Sequence, residues 1–468
     1  MTSNNVNNDK AINNDTAPLR GLRVLEFSHT IMGPCAGLLL ADLGADVIKI
    51  EPAPDGDKTR QLPGFASGFF ATFNRNKRSL AIDLKTASGQ SVIHSLVTGA
   101  DIVLDNYGPG TMERLGCGWD DLRVHNPGLI YLSLKGFLKG PWQDRPALDE
   151  VVQFQSGLAY MTGPPGQPLR AGASIVDILG AVFGVTGVLA ALRERDASGK
   201  GQRVGSSLFE SAAFMMASHM AGGAATGETV PPMTARKGAW GIYDVFHSRD
   251  EHPLFIGVTS DTQWERFCQV FQLAQLYDDA RLKTNAQRTL ARDWLLPELV
   301  DYFHTRSIDD MVAGCEAADI SWAQVGTPED LISNEQLQAP GGLLNLAMDT
   351  AKNAVTSHAM LPSLPLEFGD DQTRPSLQRQ PPDLGQHSEE ILLELGLDQA
   401  DVADLYRAGV IAWYPPPFHD TGSLLTLHFS VFFFQIKASE HRWQNRDHYT
   451  LSIHQYTLER NCESWPAC

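Results

Sequence analysis

The chain has 468 residues, of which 43% are hydrophobic and 20% are charged, and this composition is typical of a globular protein with two or three domains. Its formal net charge is −18, and we find no stripe of basic residues, which excludes the usual classes of nucleic-acid-binding and anionic-membrane-binding proteins. We therefore expect neither of these partners, and we expect any anionic ligand to bind at a local basic site.

The cysteines and the two ends of the chain indicate a cytoplasmic protein. Six cysteines occur without any CxxC pair, so we expect reduced thiols and no bound metal. Residues 1–18 are polar and lack the apolar segment of a signal peptide, which predicts a disordered lead-in. Residues 412–468 form an atypical tail, whose apolar run Leu424–Ile436 is too short to span a membrane.

From Leu19 onward, predicted strands and helices alternate. Apolar runs at 22–28, 45–51, 100–107 and 128–137 predict buried strands. Residues 33–44 and 87–98 have helical spacing and end at Gly44 and Gly99. This alternation predicts an α/β fold with a doubly wound parallel sheet, in which ligands bind beyond the carboxyl ends of the strands.

The next stretch, LRAGASIVDILGAVFGVTGVLAAL over 169–192, contains a single acid, Asp177. An ionised carboxylate is costly to remove from water unless it is paired or hydrogen-bonded. Either Asp177 caps a helix, or the protein needs a carboxylate in a dry place. We predict a helix over Ile175–Arg195, in which Gly180, Gly184 and Gly187 share a face suited to close packing, followed by a turn and a short strand.

The composition changes near residue 220. Residues 221–238 are loop-like, and the runs 240–248 and 252–260 predict a hairpin. Predicted helices follow at 261–273, with Asp261 as the N-cap, and at 291–306. We therefore expect a smaller α+β domain over 225–330, inserted into a large domain formed by 19–224 and 331–411, which ends in a helical segment.

Candidate anion-binding residues follow the predicted strands. Asn106 and Tyr107 close one strand, and a Gly-rich turn after them opens a short helix that carries Arg114. Such a helix start and arginine suit phosphate, although a plain turn with a surface arginine fits the same spacing. The basic cluster at 74–85 is either an anion site or a solvated edge.

Other motifs narrow the choice of function. Asp149 and Glu150 precede an apolar run, where they would stabilise the dipole of their own helix. The dinucleotide, P-loop, zinc-protease and GxSxG hydrolase patterns do not occur in the sequence.

Six stretches spread in order along residues 19–411 resemble the class III coenzyme A (CoA) transferases of the CaiB/BaiF type, which include the formyl-CoA and carnitine CoA-transferases. The stretches are GLRVLEFSHTIMGPCAGLLLADLGADVIKIE, FNRNKRSLAIDLK, VLDNYGPGTMERLG, LDEVVQFQSGLAYMTG, LRAGASIVDILGAVFG and GKGQRVGSSLFES. The resemblance implies an interlocked homodimer that moves CoA from an acyl-CoA, for which we expect succinyl-CoA, to a carboxylic acid. No permanently bound cofactor is implied.

The resemblance also implies roles for individual residues. Asp177 would be the nucleophile that forms an acyl anhydride and then a CoA thioester, and a water-poor pocket would protect both. A lowered pKa is not required, because an aspartate is ionised at pH 7 unless burial raises its pKa strongly. Asp149 would support the reaction. The position of Arg170 shortly before Asp177, rather than the resemblance, suggests that it binds either the second carboxylate of a diacid or CoA. The residues matched to CoA contacts are His29, Thr30, Ile31, Ile82, Asp83, Leu84, Lys85, Asn106, Tyr107, Gly108, Arg114 and Arg145.

Two departures bear on the substrate. Ile31 replaces a glutamine of the formyl-CoA subgroup, and the tetraglycine loop of that subgroup is missing between residues 225 and 260, which argues against formyl-CoA and oxalate. The related α-methylacyl-CoA racemases need a histidine base, and Leu148 stands at its position. A racemase-like isomerase and a catalytically silent CoA-binding protein are the alternative functions.

Overall fold

The structure, a computed structural model, describes residues 17–235, 238–348 and 356–412. Most of the predicted lead-in, nearly all of the tail, the run Leu424–Ile436 and two cysteines, Cys462 and Cys468, lie outside these ranges. The other four cysteines are buried and free: Cys35, Cys117, Cys268 and Cys315. Within the described ranges, no cluster of three or more His, Cys, Asp or Glu side chains is arranged to hold a metal ion.

The strands of the described ranges are β1 (Arg23–Phe27), β2 (Asp46–Pro52), β3 (Arg78–Ile82), β4 (Ile102–Asp105), β5 (Ile130–Lys135), β6 (Gln202–Ser207), β7 (Ile242–His247), β8 (Pro253–Val258), β9 (Ser321–Gln324), β10 (Leu343–Ala347), β11 (His358–Pro362) and β12 (Ile411–Ala412). The helices are α1 (Met32–Asp42), α2 (Phe69–Asn74), α3 (Ala87–Val97), α4 (Thr111–Arg114), α5 (Trp119–Leu122), α6 (Asp149–Gln155), α7 (Leu158–Thr162), α8 (Ile175–Ser198), α9 (Leu208–Thr226), α10 (Asp261–Val270), α11 (Ala274–Asp278), α12 (Asn285–Leu290), α13 (Arg292–Phe303), α14 (Ile308–Ala317), α15 (Glu335–Gln338), α16 (Ser388–Glu394) and α17 (Gln399–Arg407).

Seven of these strands form the central sheet, in the order β12-β3-β2-β1-β4-β5-β6. All neighbours pair in parallel except β12, which runs antiparallel to β3 at one edge. The predicted α/β fold with a mostly parallel sheet is therefore confirmed. The chain runs outward from β1 to β2 and β3, and then returns to place β4 on the other side of β1. This reversal creates a crevice between the carboxyl ends of β1 and β4, where doubly wound sheets bind their ligands.

Helices cover the sheet on both faces, because successive side chains of each strand point in opposite directions. Val24 packs into a core with α1, α8 and α9, whereas Leu25 and Phe27 pack into a second core with α3, α16 and α17. All three side chains are 0% exposed, as expected for a parallel strand that is covered on both sides.

The face of the sheet under α1 also buries charge. Glu26 contacts the Nζ atoms of Lys77 at 2.7 Å and of Lys49 at 3.3 Å, and all three side chains are 0% exposed. Gly37 on α1 leaves room for this cluster, because a Cβ atom there would lie 1.7 Å from the nearer Glu26 oxygen. A buried ion cluster of this kind is stable only when every charge keeps its partners.

Most of the basic cluster at 74–85 has a structural role. Lys77 is buried against Glu26, Arg75 pairs with Asp42 at 2.7 Å, and Arg78 pairs with Asp46 at 2.6 Å. Both interpretations of the cluster as a whole, an anion site or a solvated edge, are therefore wrong for these three cations, since their charges are already neutralised by acids of the same chain.

Helix α8 begins at Ile175 as predicted and continues three residues past Arg195, to Ser198. Its glycines pack against side chains: a Cβ at Gly180 would lie 2.5 Å from the Met32 Cε, and one at Gly184 would lie 2.8 Å from the Leu134 Cδ2. Within the described ranges, this is the one helix whose length and apolar composition would suit a membrane span, a test that core helices of soluble proteins also pass.

A third hydrophobic core forms over Ile242–Ile320, between helices α10–α14 and a three-stranded antiparallel sheet in the order β7-β8-β9. The predicted hairpin is confirmed, since Ile242 pairs with Val258 and His247 with Pro253. The predicted loop at 221–238 is wrong at its start, because α9 continues to Thr226. Gly227 is the C-cap of this helix, and its φ of 71° suits glycine.

The predicted N-cap of α10 is also wrong by one residue. The Ser260 hydroxyl accepts a hydrogen bond from the Gln263 N–H, so Ser260 is the cap. Asp261 is the first helical residue, and its carboxylate accepts from the Asn285 N–H at 2.8 Å and pairs with the buried Arg288.

Candidate active site

The loops that follow β1 and β4 are joined directly at the crevice. The His29 N–H donates to the Asn106 Oδ1 at 3.0 Å, and the Asn106 Nδ2 donates back to the His29 carbonyl at 2.9 Å. The His29 ring stacks on Tyr107, with centroids 5.7 Å apart and an interplanar angle of 18°. Three of the residues matched to CoA contacts therefore form one hydrogen-bonded and stacked group.

Helix α1 starts at the floor of the same crevice. Gly33 allows this close approach, because a Cβ atom there would lie 2.5 Å from the Ser28 Cβ and 2.8 Å from the Asn106 Cγ. Ile31 occupies the N-cap position and makes no side-chain cap hydrogen bond. The first backbone N–H groups of α1 are thus left without a side-chain cap, an arrangement that favours an anionic ligand.

The β3 residues matched to CoA contacts differ in what they can offer. The side chains of Ile82 and Leu84 are 0% and 8% exposed and pack in the core, so only their backbone atoms can face a ligand. Asp83 uses its carboxylate to accept the Lys85 N–H at 2.9 Å, which fixes the turn after β3. Lys85 itself is exposed and carries its charge at the carboxyl end of the strand.

Three further matched residues lie on more open surfaces. Arg114 is exposed on α4 and donates to the Thr111 hydroxyl at 2.8 Å. Gly108, in the loop before α4, borders open space, because a Cβ atom there would have no neighbouring atom within 4 Å. Arg145 is exposed and stacks over the Trp142 ring at 5.1 Å, so this contact places it on a different loop from the group at His29.

Asp177 is the third residue of α8, and a buried neighbour holds the start of this helix. The Asp149 carboxylate, 4% exposed, accepts hydrogen bonds from the N–H groups of Val176 at 2.8 Å and Asp177 at 3.1 Å. Its other oxygen accepts from the Gln153 side chain, which in turn accepts the Ala171 N–H at 2.9 Å. Asp149 therefore caps α8, in addition to being the first residue of α6, and Asp177 is not needed as a cap.

The environment of Asp177 favours its protonated form. Burial raises the pKa of Asp177 to about 7, and the carboxylates of Asp149 and Glu150 act in the same direction. The sequence-based expectation, an ionised aspartate at pH 7 unless burial raises its pKa strongly, allows for this case. The ionised form is therefore gained as the pH rises through about 7.

Arg170 pairs with Glu150, one of the two acids that raise the pKa of Asp177. Its Nη1 lies 3.7 Å from the Glu150 Oε1, and both side chains are partly exposed. An exposed pair at this distance is weak, so a ligand carboxylate can compete with Glu150 for the guanidinium.

Sequence reasoning missed the residues that support this site. Gln153 stands four residues after Asp149 on α6, and this helical spacing is a signal that could have revealed the pair. Gly33 and Thr59, which contact the loop after β1, carry no comparable signal, because their partners come from other segments of the chain.

Comparison with known proteins identifies the family. Residues 19–388 match the model of CoA-transferase family III. An acyl-CoA transferase of Fusarium pseudograminearum is 33% identical over 84% of this chain and 88% of its own length. A succinate–glutarate CoA-transferase of Agrobacterium fabrum is 32% identical over 82% of this chain and 96% of its own. The crystal structure of a CaiB/BaiF family protein from Brucella suis has a TM-score of 0.70 and 28% identity, covering 81% of this chain and 99% of that one. The chain therefore belongs to CoA-transferase family III, and it is a CoA-transferase.

Proposed function

We propose that the enzyme transfers CoA from an acyl-CoA to a carboxylic acid through covalent intermediates on Asp177. The observation that carries this proposal is the half-buried Asp177 carboxylate at the start of α8. The backbone N–H of Asp177 is held by a hydrogen bond to the Asp149 carboxylate. Within the described ranges, the Asp177 carboxylate makes no hydrogen bond or ion pair with another side chain. A weakly solvated and unpaired carboxylate is a better nucleophile than a hydrated one.

The reaction proceeds by carboxylate and thiolate attack in turn. The ionised Asp177 attacks the thioester carbonyl of the donor, which breaks the C–S bond, forms an acyl-aspartyl anhydride and releases the CoA thiolate. The thiolate then attacks the aspartyl carbonyl, which gives aspartyl-CoA thioester and frees the donor acid as a carboxylate. The acceptor carboxylate reverses both steps, so that acceptor acyl-CoA leaves and Asp177 is regenerated without net gain or loss of a proton.

The CoA nucleotide is proposed to bind at the crevice between β1 and β4. The uncapped start of α1 and the exposed Lys85 and Arg114 offer positive charge to its phosphates, while the His29–Tyr107 stack offers an aromatic surface. Backbone atoms of Thr30, Ile31, Ile82, Asp83, Leu84 and Gly108 complete the proposed set, and Arg145 is its most distant member in sequence.

Succinyl-CoA as donor and a dicarboxylate as acceptor are the proposed substrates. The relative from Agrobacterium fabrum acts, by its name, on succinate and glutarate, which are both dicarboxylates. Arg170 supports this choice, because its weak pairing with Glu150 leaves the guanidinium able to bind a second carboxylate.

Replacing Arg170 with Met is expected to raise KM for a dicarboxylate about tenfold more than KM for a monocarboxylate of the same length, the loss of one charge-assisted contact. Steady-state kinetics with matched acids measures this ratio. Arg193→Met, at an exposed position near the end of α8, is the control and should change neither KM. Equal effects of Arg170→Met on both acids would show that Arg170 does not read the second carboxylate.

A homodimer is also proposed, with residues 225–330 as an inserted domain around the third core, at Ile242–Ile320. Large apolar side chains stay exposed on neighbouring helices: Phe154 is 53% exposed on α6, Val182 is 41% exposed on α8, and Phe214 and Met220 are 66% and 68% exposed on α9. Surfaces of this kind usually mark a protein interface. Native mass measurement is expected to give twice the chain mass, and a monomer at micromolar concentration would contradict the proposal.

The covalent chemistry is tested by intact-protein mass spectrometry after mixing the enzyme with succinyl-CoA and hydroxylamine. Hydroxylamine attacks the activated aspartyl carbonyl and leaves a hydroxamate, which peptide mapping is expected to locate at Asp177. Other acyl-CoA donors are compared in the same way to identify the preferred donor. A protein that binds CoA but gives no hydroxamate with any donor would contradict the mechanism.

A further inference from the structure

The loop after β1 contains a residue in an unfavourable backbone conformation. Thr30 has a φ of 67°, in the left-handed region that residues with a branched Cβ strongly avoid. It lies between His29, which binds Asn106, and Ile31, which is the N-cap of α1. Something must therefore hold Thr30 in place, because the loop would otherwise relax and move its neighbours.

The hydroxyl of Thr59 provides this restraint. It accepts a hydrogen bond from the Thr30 N–H at 2.9 Å and donates its own proton to the Asp57 Oδ1 at 2.6 Å. The Thr59 backbone N–H donates to the same Asp57 oxygen at 2.9 Å. Both Asp57 and Thr59 are 3% exposed, so water does not compete for these contacts. The Thr59 hydroxyl is therefore both a hydrogen-bond acceptor, from Thr30, and a hydrogen-bond donor, to Asp57.

Asp57 is itself held by an ion pair with a buried lysine of β2. Its Oδ2 pairs with the Nζ of Lys49 at 3.0 Å, and the same Nζ donates to the Ser28 carbonyl at 3.0 Å. Lys49 is fully buried on β2. The segment 57–59 is therefore tied to the loop after β1 at two points: at Ser28 through the buried Lys49 ammonium, and at Thr30 through the Thr59 hydroxyl.

We propose that Thr59 is a positioning residue for CoA binding, which acts by keeping Thr30 in its left-handed conformation. By restraining Thr30, Thr59 keeps the His29 backbone and the start of α1 in the positions in which they would contact the CoA nucleotide. Thr59 is buried and acts through Thr30. The inference rests on the proposed CoA site at the β1–β4 crevice.

A double-mutant cycle between Thr59→Val and Thr30→Gly tests the proposal, because glycine adopts a φ near 67° without strain. We expect Thr59→Val to raise the calorimetric Kd for CoA about tenfold in the Thr30 background, because Thr30 loses its buried hydrogen bond to the Thr59 hydroxyl. In the Thr30→Gly background, the same change is expected to raise Kd less than about twofold. At saturating CoA thioester, Thr59→Val is expected to change kcat by less than about twofold relative to the enzyme of the same background that keeps Thr59.

The controls separate this role from general effects on folding. Thr72→Val removes a hydroxyl that donates to the Gly68 carbonyl at 2.8 Å, away from Thr30, and should leave Kd unchanged. Thr59→Ser keeps the hydroxyl and should bind as the parent does. If Thr59→Val does not fold, Thr59→Ala enters the cycle in its place. Equal effects in both backgrounds would overturn the inference alone, whereas a parent enzyme that fails to bind CoA would overturn the proposed function.

Discussion

Replacing Asp177 with Ala is expected to lower kcat for CoA transfer by about 10⁴-fold or more, because the reaction loses the group that forms both covalent intermediates. Asp177→Asn should be equally inactive, since the amide has no negative oxygen to attack the thioester. Both changes keep the backbone N–H that Asp149 binds, so α8 should start as before. Steady-state kinetics and hydroxylamine trapping measure the loss of transfer and of the adduct.

Binding of CoA serves as the control for these variants. The proposed CoA site lies at the ends of β1 and β4, and the Asp177 carboxylate takes no part in its hydrogen bonds between His29 and Asn106. The Kd for CoA should therefore stay within about threefold of the parent value, as for other changes outside a contact. A hydroxamate that still forms in Asp177→Ala would assign the nucleophile to another residue.

Replacing Asp149 has the second largest expected effect, and two substitutions separate its two roles. Asp149→Ala removes the acceptor for the N–H groups of Val176 and Asp177, which should lower the free energy of unfolding by about 1–2 kcal/mol, the usual cost of a lost helix cap. The start of α8 should then shift, and kcat should fall about 100-fold because the nucleophile is misplaced.

Asp149→Asn keeps an oxygen that can accept these hydrogen bonds but removes the negative charge. The Asp149 charge helps to raise the pKa of Asp177, so this pKa should fall in the variant. Since attack needs ionised Asp177, the parent activity should rise with pH through about 7. In Asp149→Asn the same rise should occur at lower pH, so the variant should retain more of its maximal activity under mildly acidic conditions.

The profile of kcat/KM against pH measures this shift, because it reports groups of the free enzyme. Glu150→Gln is the matched control, with a smaller shift in the same direction, since Glu150 has the weaker influence on the pKa of Asp177. An acidic limb that does not move in Asp149→Asn would show that another group controls the profile.

Strands β1, β2, β4 and β5 were predictable, because each contains a largely apolar run that is typical of a buried parallel strand. Strand β3 was not predicted, since it lies within the basic cluster at 74–85 and its apolar run is only three residues long. The helix boundaries were less predictable. Ser260 and Asp261 are both good caps, and the choice between them depends on where the chain turns into α10. Gly222 and Gly223 were interpreted as loop residues, yet they lie inside α9. Glycine lowers the helix propensity, but it does not end a helix that packs well.

The candidate site was predictable residue by residue but not in its connections. Asp149 caps a helix that begins far along the chain, with 27 positions separating it from Val176, and no local pattern reveals such a bond. The cations Arg75 and Lys77 were open to interpretation as ligand-binding residues because their acids, Asp42 and Glu26, come from distant strands and helices. Charge alone could not show that these partners meet in the fold.

The buried Glu26–Lys77 pair under Gly37 has an evolutionary consequence. Any side chain at position 37 overlaps the Glu26 carboxylate, while removing Glu26 alone leaves the buried Lys77 ammonium without its carboxylate partner. A single substitution at position 26 or 37 is therefore expected to destabilise the fold. The effect of a change at one position depends on the residue at the other, so the two positions are epistatic. Directed evolution of this enzyme for new acids should leave both codons untouched and place its diversity at exposed residues of the candidate site.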